Sequence, residues 1–100
     1  MFIAITKLSF TSEVKDMVLD IADRSRPVFK QQPGFISLQG YLSHDKEQLL
    51  TVLEWEKQAD HEQCMASSDW EDINKSWAEL MATGKANFEL NTFEKYPDRS

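Results

Sequence analysis

The sequence has little cysteine, proline and glycine, and it contains no long apolar run. Its single cysteine, Cys64, cannot form an internal disulfide bond. Neither glycine nor proline reaches a level that suggests disorder, since each occurs only 3 times in 100 residues. The chain begins without a basic segment or an apolar stretch typical of a signal peptide or transmembrane helix. We therefore expect a cytoplasmic protein with no membrane partner.

Basic side chains are also in the minority, and this limits the partners. The 11 Lys and Arg residues against 17 Asp and Glu residues give a formal net charge of -6. A nucleic-acid partner, like an anionic membrane surface, would need a basic face, so we expect neither. The hydrophobic fraction of 41% is ordinary for a globular protein. We expect one domain over residues 1–100, small enough to benefit from a partner subunit.

Apolar periodicity predicts the element order β-α-β-β-α-α-β. The predicted strands are 2–10, 35–43, 48–56 and 85–95, and the predicted helices are a long first one, then 57–66 and 68–83. Thr11 or Ser12 should cap the first helix, with Val14, Met17, Val18, Ile21 and Val28 on its apolar side, and Pro27 should kink or end it. A capping box starting at Ser68 should open the last helix, and Gly84 should stop it. Residues 96–100 are expected to be a frayed tail.

This order predicts an α+β, ferredoxin-like βαββαβ fold whose second helix is broken in two. Its four-stranded antiparallel sheet would carry helices on one face, with a bulge or close approach at Gly40. The other face would expose Ile3, Ile5, Leu38 and Leu42 to water, and monomers seldom tolerate such a patch. We therefore expect a homodimer that packs sheet to sheet and closes an α/β barrel between two chains.

Three uncommon side chains lie within ten residues at the predicted junction between the third strand and the next helix: Trp55, His61 and Cys64. Junctions of this kind commonly bind ligands in α/β proteins. His61 is the candidate acid or base because its ordinary pKa of about 6.5 lies near neutrality. The alternative is a partly exposed helix histidine with no chemical role.

Cys64 lies three residues after His61, so both side chains share one helix face. No Asp or Asn is placed in sequence to complete a cysteine-histidine nucleophile, which favours a buried packing role. The His61-x-x-Cys64 spacing could suit a metal, but His44 is the only other histidine and no second cysteine exists. We expect no metal site. Trp55, Trp70 and Trp77 could line a flat cavity for an aromatic ligand, or they could simply belong to the core.

The segment from Gln32-Pro33-Gly34-Phe35 through Leu53-Glu54-Trp55-Glu56 to Ser67-Ser68-Asp69-Trp70 resembles the antibiotic biosynthesis monooxygenase family. The resemblance covers nearly the whole chain in length and element order. It implies a dimeric α/β barrel with one pocket per subunit between helices and sheet. It also implies a cofactor-independent oxidation of small aromatic, phenolic or quinol-type substrates, in which a base removes a proton and the resulting carbanion reduces dioxygen.

The same resemblance implies roles for particular residues. His61 would be the catalytic base, although the helix position that often carries histidine in the family is Cys64 here. The substrate-binding residues would be Trp55, Cys64, Trp70, Asn74, Trp77 and Tyr41, with Asn74 or Tyr41 donating hydrogen bonds. The alternative is a non-catalytic dimer that binds an apolar small molecule in the same pocket.

Haem binding or degradation is a third possibility that the residues disfavour. Thr6, Cys64 and Asn74 stand where the haem-degrading branch of the family has Asn, Trp and the haem-ligating His. The resemblance therefore implies no cofactor, unless His61 substitutes as ligand.

Overall fold

A computed structural model describes residues 1–96, so most of the predicted tail 96–100 lies outside the described residues. The element order agrees with the prediction. The strands are β1 (Phe2–Phe10), β2 (Phe35–Leu42), β3 (Gln48–Trp55) and β4 (Ala86–Glu94). The helices are α1 (Lys15–Lys30), which follows a short 3-10 turn at Ser12–Val14, α2 (Gln58–Ala66) and α3 (Ser68–Ala82).

The four strands form one antiparallel sheet in the order β2-β3-β1-β4. Alternate side chains of each strand point to opposite faces, and the inner face packs against the helices. The core joins inner-face residues such as Leu8 and Leu53 to Ile21 of α1 and Leu80 of α3. Burial of such side chains contributes about 1.5–3 kcal/mol each. The predicted α+β, ferredoxin-like fold is confirmed.

The helix ends differ in part from the prediction. Pro27 lies inside α1, which continues to Lys30. The proline is exposed, so water can satisfy the carbonyl group that lacks a helical partner. Met17, predicted on the apolar side, is also exposed. Gly84 takes the expected left-handed conformation, with φ +72°, just after the end of α3.

The predicted N-terminal caps do not form. Thr11 precedes the 3-10 turn, but its side chain makes no capping hydrogen bond. The N-cap of α3 is Ser67 rather than Ser68, and its hydroxyl donates to the Cys64 carbonyl oxygen at 2.8 Å. Because α2 and α3 are joined by this single residue, its hydroxyl serves the end of α2 instead of the start of α3.

The irregularity in β2 lies near its start and not at Gly40. The register with β3 shifts between Phe35 and Ser37, which places one extra residue in β2. An extra residue reverses the alternation that follows, so Leu38 and Leu42 face the helices and pack on the core. The prediction that these two leucines lie on the outer face was therefore wrong.

The outer face of the sheet is apolar nonetheless. It carries Ile3, Ile5, Leu50, Val52 and Phe93, and both Leu50 and Phe93 are exposed in the single chain. That a second copy covers this face stays a prediction. Within residues 1–96, no helix is long and apolar enough to cross a membrane.

Candidate functional site

A cavity of about 460 Å³ lies between the inner face of the sheet and all three helices. This volume is in the range of small-molecule sites. The floor comes from the four strands: Thr6, Leu8, Leu38, Gly40, Leu49, Thr51, Leu53, Phe88 and Leu90. The helices supply Leu19, Ala22, Asp23, Ser25, Arg26, Phe29, His61, Met65, Trp70, Asn74, Trp77, Ala78 and Met81. Most of these side chains are apolar, so the cavity suits a ligand with an apolar body.

Small residues leave the space open. Ala22 on α1, Ala78 on α3 and Gly40 on β2 all line the cavity. Gly40 and Ala78 are exposed in the single chain and Ala22 is partly buried, so the absence of large side chains there leaves the cavity open to solvent. A larger side chain at one of them should fill the cavity.

The closed end of the cavity lies at the junction of β3 and α2. Trp55, the last residue of β3, is fully buried and makes edge-on contacts with Phe29 and Phe35. The imidazole ring of His61 then packs against Trp55 and Phe2, with ring centroids 5.7 Å and 5.4 Å apart. Only two residues separate the strand from the helix, so this packing fixes where His61 sits.

His61 is 8% exposed and lines the cavity, so it is not the partly exposed helix histidine of the alternative interpretation. Burial lowers the pKa of His61 below its ordinary value, and the nearby charge of Glu62 opposes this to a smaller extent. Its Nδ1 atom is buried and has no hydrogen-bond partner within residues 1–96. The imidazole is therefore neutral at neutral pH and able to accept a proton.

Cys64 is fully buried in the core. Burial, followed by the charge of Asp69, raises the pKa of the Cys64 thiol to about 11. A thiol of this kind is almost entirely protonated at neutral pH, which disfavours nucleophilic catalysis. Among the described residues, no group of three or more His, Cys, Asp or Glu side chains could hold a metal ion.

The structure brings together four of the seven predicted site residues. His61, Trp70, Asn74 and Trp77 all line the cavity. Trp55 and Cys64 do not line it, because both are fully buried in the surrounding core. They can act on a ligand only through the residues that they support.

Tyr41 lies on the opposite face of the sheet from the cavity. Its neighbour Gly40 faces the cavity, so Tyr41 points outward, where its hydroxyl donates to Gln39. The prediction that Tyr41 donates a hydrogen bond inside the cavity of its own chain was therefore wrong.

Two threonines of the cavity floor were missed by the sequence analysis. Thr6 and Thr51 are direct neighbours across β1 and β3. A signal was present, because each occupies an inner-face position between apolar residues, where polar side chains are unusual. Asp23 and Arg26 were also missed, and they had no such signal, since they lie in the charged stretch of α1.

Together, these observations define a ferredoxin-like domain with a largely apolar cavity between its sheet and its helices. The family model of the antibiotic biosynthesis monooxygenases matches residues 1–76. The chain belongs to this family. A search of curated protein sequences gives no match.

Several solved structures share the fold. A candidate antibiotic biosynthesis monooxygenase from Deinococcus radiodurans is 12% identical, with a TM-score of 0.82 over 100% of this chain and 97% of that chain. SnoaB, a cofactor-independent oxygenase from Streptomyces nogalater, is 11% identical, with a TM-score of 0.81 over 97% and 94% of the two chains. A candidate monooxygenase from Nitrosomonas europaea is 9% identical, with a TM-score of 0.81 over 95% and 98%. At such identities the likeness shows the fold alone.

Proposed function

We propose that this protein is a cofactor-independent monooxygenase that oxidises small aromatic, phenolic or quinol-type substrates with dioxygen. The observation that carries the proposal is the position of His61, a neutral imidazole in the wall of an apolar cavity. Family membership and the likeness to SnoaB, a cofactor-independent oxygenase, support it further.

The cavity walls favour an aromatic substrate. Trp70 and Trp77 lie about two turns apart on the same side of α3, and Phe29 packs on Trp70 with ring centroids 4.8 Å apart. A planar ring entering between these side chains and the sheet would replace water in an apolar space, which is favourable. The same enclosure keeps water away from a reactive carbanion.

His61 would act as the general base of the first step. We assign the proton-accepting role to Nε2, because Nδ1 is enclosed by protein. Burial disfavours the protonated ring, and its Nδ1–H group has no acceptor among the described residues, so His61 is a weak base. It therefore suits substrates whose proton is already acidic, such as hydroxyanthrones, in which the negative charge spreads over the ring system.

The deprotonated substrate would then reduce dioxygen itself. One oxygen atom enters the substrate as a carbonyl group and the other leaves as water, so an anthrone and dioxygen give an anthraquinone and water. Hydroxyl groups of Thr6 and Thr51, or the amide of Asn74, are the cavity groups available to donate hydrogen bonds to the developing oxyanion. No other reductant is needed.

The test is dioxygen consumption with 1,8-dihydroxyanthrone, corrected for the reaction without protein. We expect kcat to fall by about 10²-fold or more in His61→Ala, the scale of a lost general base. His44→Ala is the matched control, since His44 is exposed in the loop between β2 and β3, and it should keep full activity. Unchanged turnover in His61→Ala would discard His61 as the base.

The absence of turnover with a panel of hydroanthrones and hydroquinones would discard the enzyme and favour the non-catalytic small-molecule binder. That outcome would leave the cavity as the binding site, with His61 as a packing residue.

We also propose that the outer face of the sheet packs against the same face of a second copy. The support is the group of outward apolar side chains, among them Ile5, Val52 and Phe93. Light scattering after size exclusion should give twice the chain mass of 11.6 kDa for the wild type. Val52→Lys should shift the mass toward one chain, and a wild-type monomer would contradict the proposal.

A further inference from the structure

The lining of the cavity contains only two charged residues within the part of the chain described. Both lie on α1, at Asp23 and Arg26, and therefore on one side of the helix. All other lining side chains are apolar or uncharged apart from His61, whose pKa is lowered by burial. A charged group on the ligand would thus be recognised at this one place.

The guanidinium of Arg26 reaches over the floor of the cavity. Its Nη2 atom lies 3.6 Å from the point where a side chain on Gly40 would begin. Because Gly40 has no side chain, the guanidinium extends over the inner face of β2 without obstruction.

The hydrogen-bonding capacity of Arg26 is unused. Its nearest carboxylate, Asp23, lies 3.9 Å from Nε, which is too long for a hydrogen bond. Arg26 donates no hydrogen bond to any residue in 1–96, whereas Arg24 on the same helix donates to Asp20 at 3.0 Å and Ser76 at 3.2 Å. Arg24 thus holds α1 to α3, and Arg26 has donors to spare.

The side chain of Arg26 is also less exposed than that of Asp23 beside it. The side chain of Arg26 is 47% exposed and that of Asp23 is 79% exposed. Because Nη2 of Arg26 extends over Gly40 in the cavity floor, a ligand there would meet the positive group, whereas most of the Asp23 side chain is in solvent. The charged side of the cavity is suited to an anion.

We propose that Arg26 binds an anionic substituent, a carboxylate or sulfonate, on an aromatic ligand whose rings occupy the cavity. A guanidinium presents a planar fork of N–H donors that matches such a group. The proposal deepens the proposed function by adding a negative charge to the substrate class, and it rests on that function only in taking the cavity as the substrate site.

The test compares two fluorescent probes that share their ring system. 8-Anilinonaphthalene-1-sulfonate carries a sulfonate, and N-phenyl-1-naphthylamine has the same rings without it. We expect Arg26→Gln to raise Kd for the sulfonate about fivefold to tenfold, as for a half-exposed ion pair, and to change Kd for the neutral probe less than about twofold. Arg24→Gln is the matched control and should leave both values unchanged.

Asp23→Asn should act in the opposite direction. It removes the carboxylate that competes for Arg26 and repels an incoming anion, so the sulfonate probe should bind more tightly while the neutral probe does not change. This variant keeps the proposal testable if Arg26→Gln proves unstable.

Two results would overturn the proposal. One is an Arg26→Gln variant in which Kd rises equally for both probes, or in which Kd for the sulfonate does not rise. The other is undiminished binding of the sulfonate to Ala78→Trp, which fills the cavity. Since dye binding requires no turnover, failure of the oxygenase assay leaves this result readable. Conversely, the wild type could oxidise 1,8-dihydroxyanthrone while Arg26→Gln binds both probes as the wild type does. That result would discard only the role of Arg26 and leave the proposed oxygenase in place.

Discussion

The two ends of the cavity are built on different principles. At the closed end, the buried rings of Trp55 and His61 are in contact, the partly buried Phe2 packs on His61, and Cys64 is fully buried. The rim, formed by Asp23, Arg26, Phe88 and Leu90, consists of exposed side chains that also line the cavity. Phe88 is 56% exposed and Leu90 is 45% exposed, although both are large and apolar.

This difference gives the two ends different roles: the closed end fixes the position of His61, and the rim affects which ligand the cavity admits. Side chains at the closed end cannot shift without disturbing the core, so the place of His61 is fixed by packing. Side chains at the rim have few neighbours and can change with little effect on folding. The protein could therefore alter which ligand it admits while the group that would act on that ligand stays in place.

The largest difference should appear in stability. Trp55→Ala should lower the free energy of unfolding by about 3–5 kcal/mol, because it leaves a large void in the core. Phe88→Ala should cost less than about 1 kcal/mol, since most of its ring is already in water. Urea denaturation followed by circular dichroism measures both. Comparable losses in the two variants would show that the rim is as much a part of the core as the closed end.

Two glycines with positive φ sharpen the comparison. Gly34 has φ +81°, and a Cβ atom there would lie 2.0 Å from Oδ2 of Asp60, the residue before His61. Gly84 has φ +72° and nothing within 4 Å. Gly84→Ala should cost about 1 kcal/mol of stability for the backbone conformation alone. Gly34→Ala should cost more, because α2 must also move.

The Gly34→Ala and Gly84→Ala variants also distinguish a loss of stability from a change in the geometry of the site. Gly34→Ala should reduce dioxygen consumption beyond its effect on the folded fraction, since a displaced Asp60 carries His61 with it. Gly84→Ala, far from α2 in the chain, should keep the activity of its folded fraction. Equal stability and equal activity in the two variants would mean that the contact between Gly34 and Asp60 does not constrain the site.

The fold could be predicted because local patterns specify it. Alternation in β1 and β3 and the apolar stripe of α3, from Trp70 through Leu80, were sufficient for the element order and for the faces that these three elements bury. The register of β2 could not be predicted, because the bulge after Phe35 has no glycine or proline to mark it. That single extra residue reversed the placement of Leu38 and Leu42.

The candidate site was predictable only where residue type suggested it. His61, Trp70 and Trp77 are uncommon side chains, and all three line the cavity. Arg26 is one of 11 basic residues, and its distinction is that Gly40 lies opposite it in the fold. Such a contact between α1 and β2 depends on tertiary packing, and no local pattern in the sequence encodes it.

A smaller effect should appear in the pH dependence of stability. The pKa of His61 is lowered in the folded state by burial, so the unfolded chain binds the proton more tightly. The contribution of His61 to the free energy of unfolding is fully present above its ordinary pKa. It is lost as pH falls through the lower pKa that His61 has in the folded state. The urea midpoint should thus decrease between neutral pH and about pH 5.5.

His61→Gln should remove this part of the decrease, while His44→Gln, in an exposed loop, should retain it. A wild type and a His61→Gln variant with the same loss of midpoint would contradict the burial of a neutral His61.

The variant with the smallest expected effect on the fold moves the thiol by one residue, from the buried position 64 to the exposed position 65. Cys64 is fully buried with a pKa raised to about 11, whereas Met65 is exposed and lines the cavity. A pKa this high alone lowers the reactive thiolate fraction at neutral pH by about 10²-fold relative to a free cysteine.

Wild type should therefore react with a disulfide reagent at least this much more slowly than the double variant Cys64→Ala and Met65→Cys. Since α2 turns by about 100° per residue, that shift exposes the thiol and should leave the fold intact. Rapid labelling of the wild type in the absence of denaturant would mean that the closed end opens, and the contrast with the rim would then be one of degree.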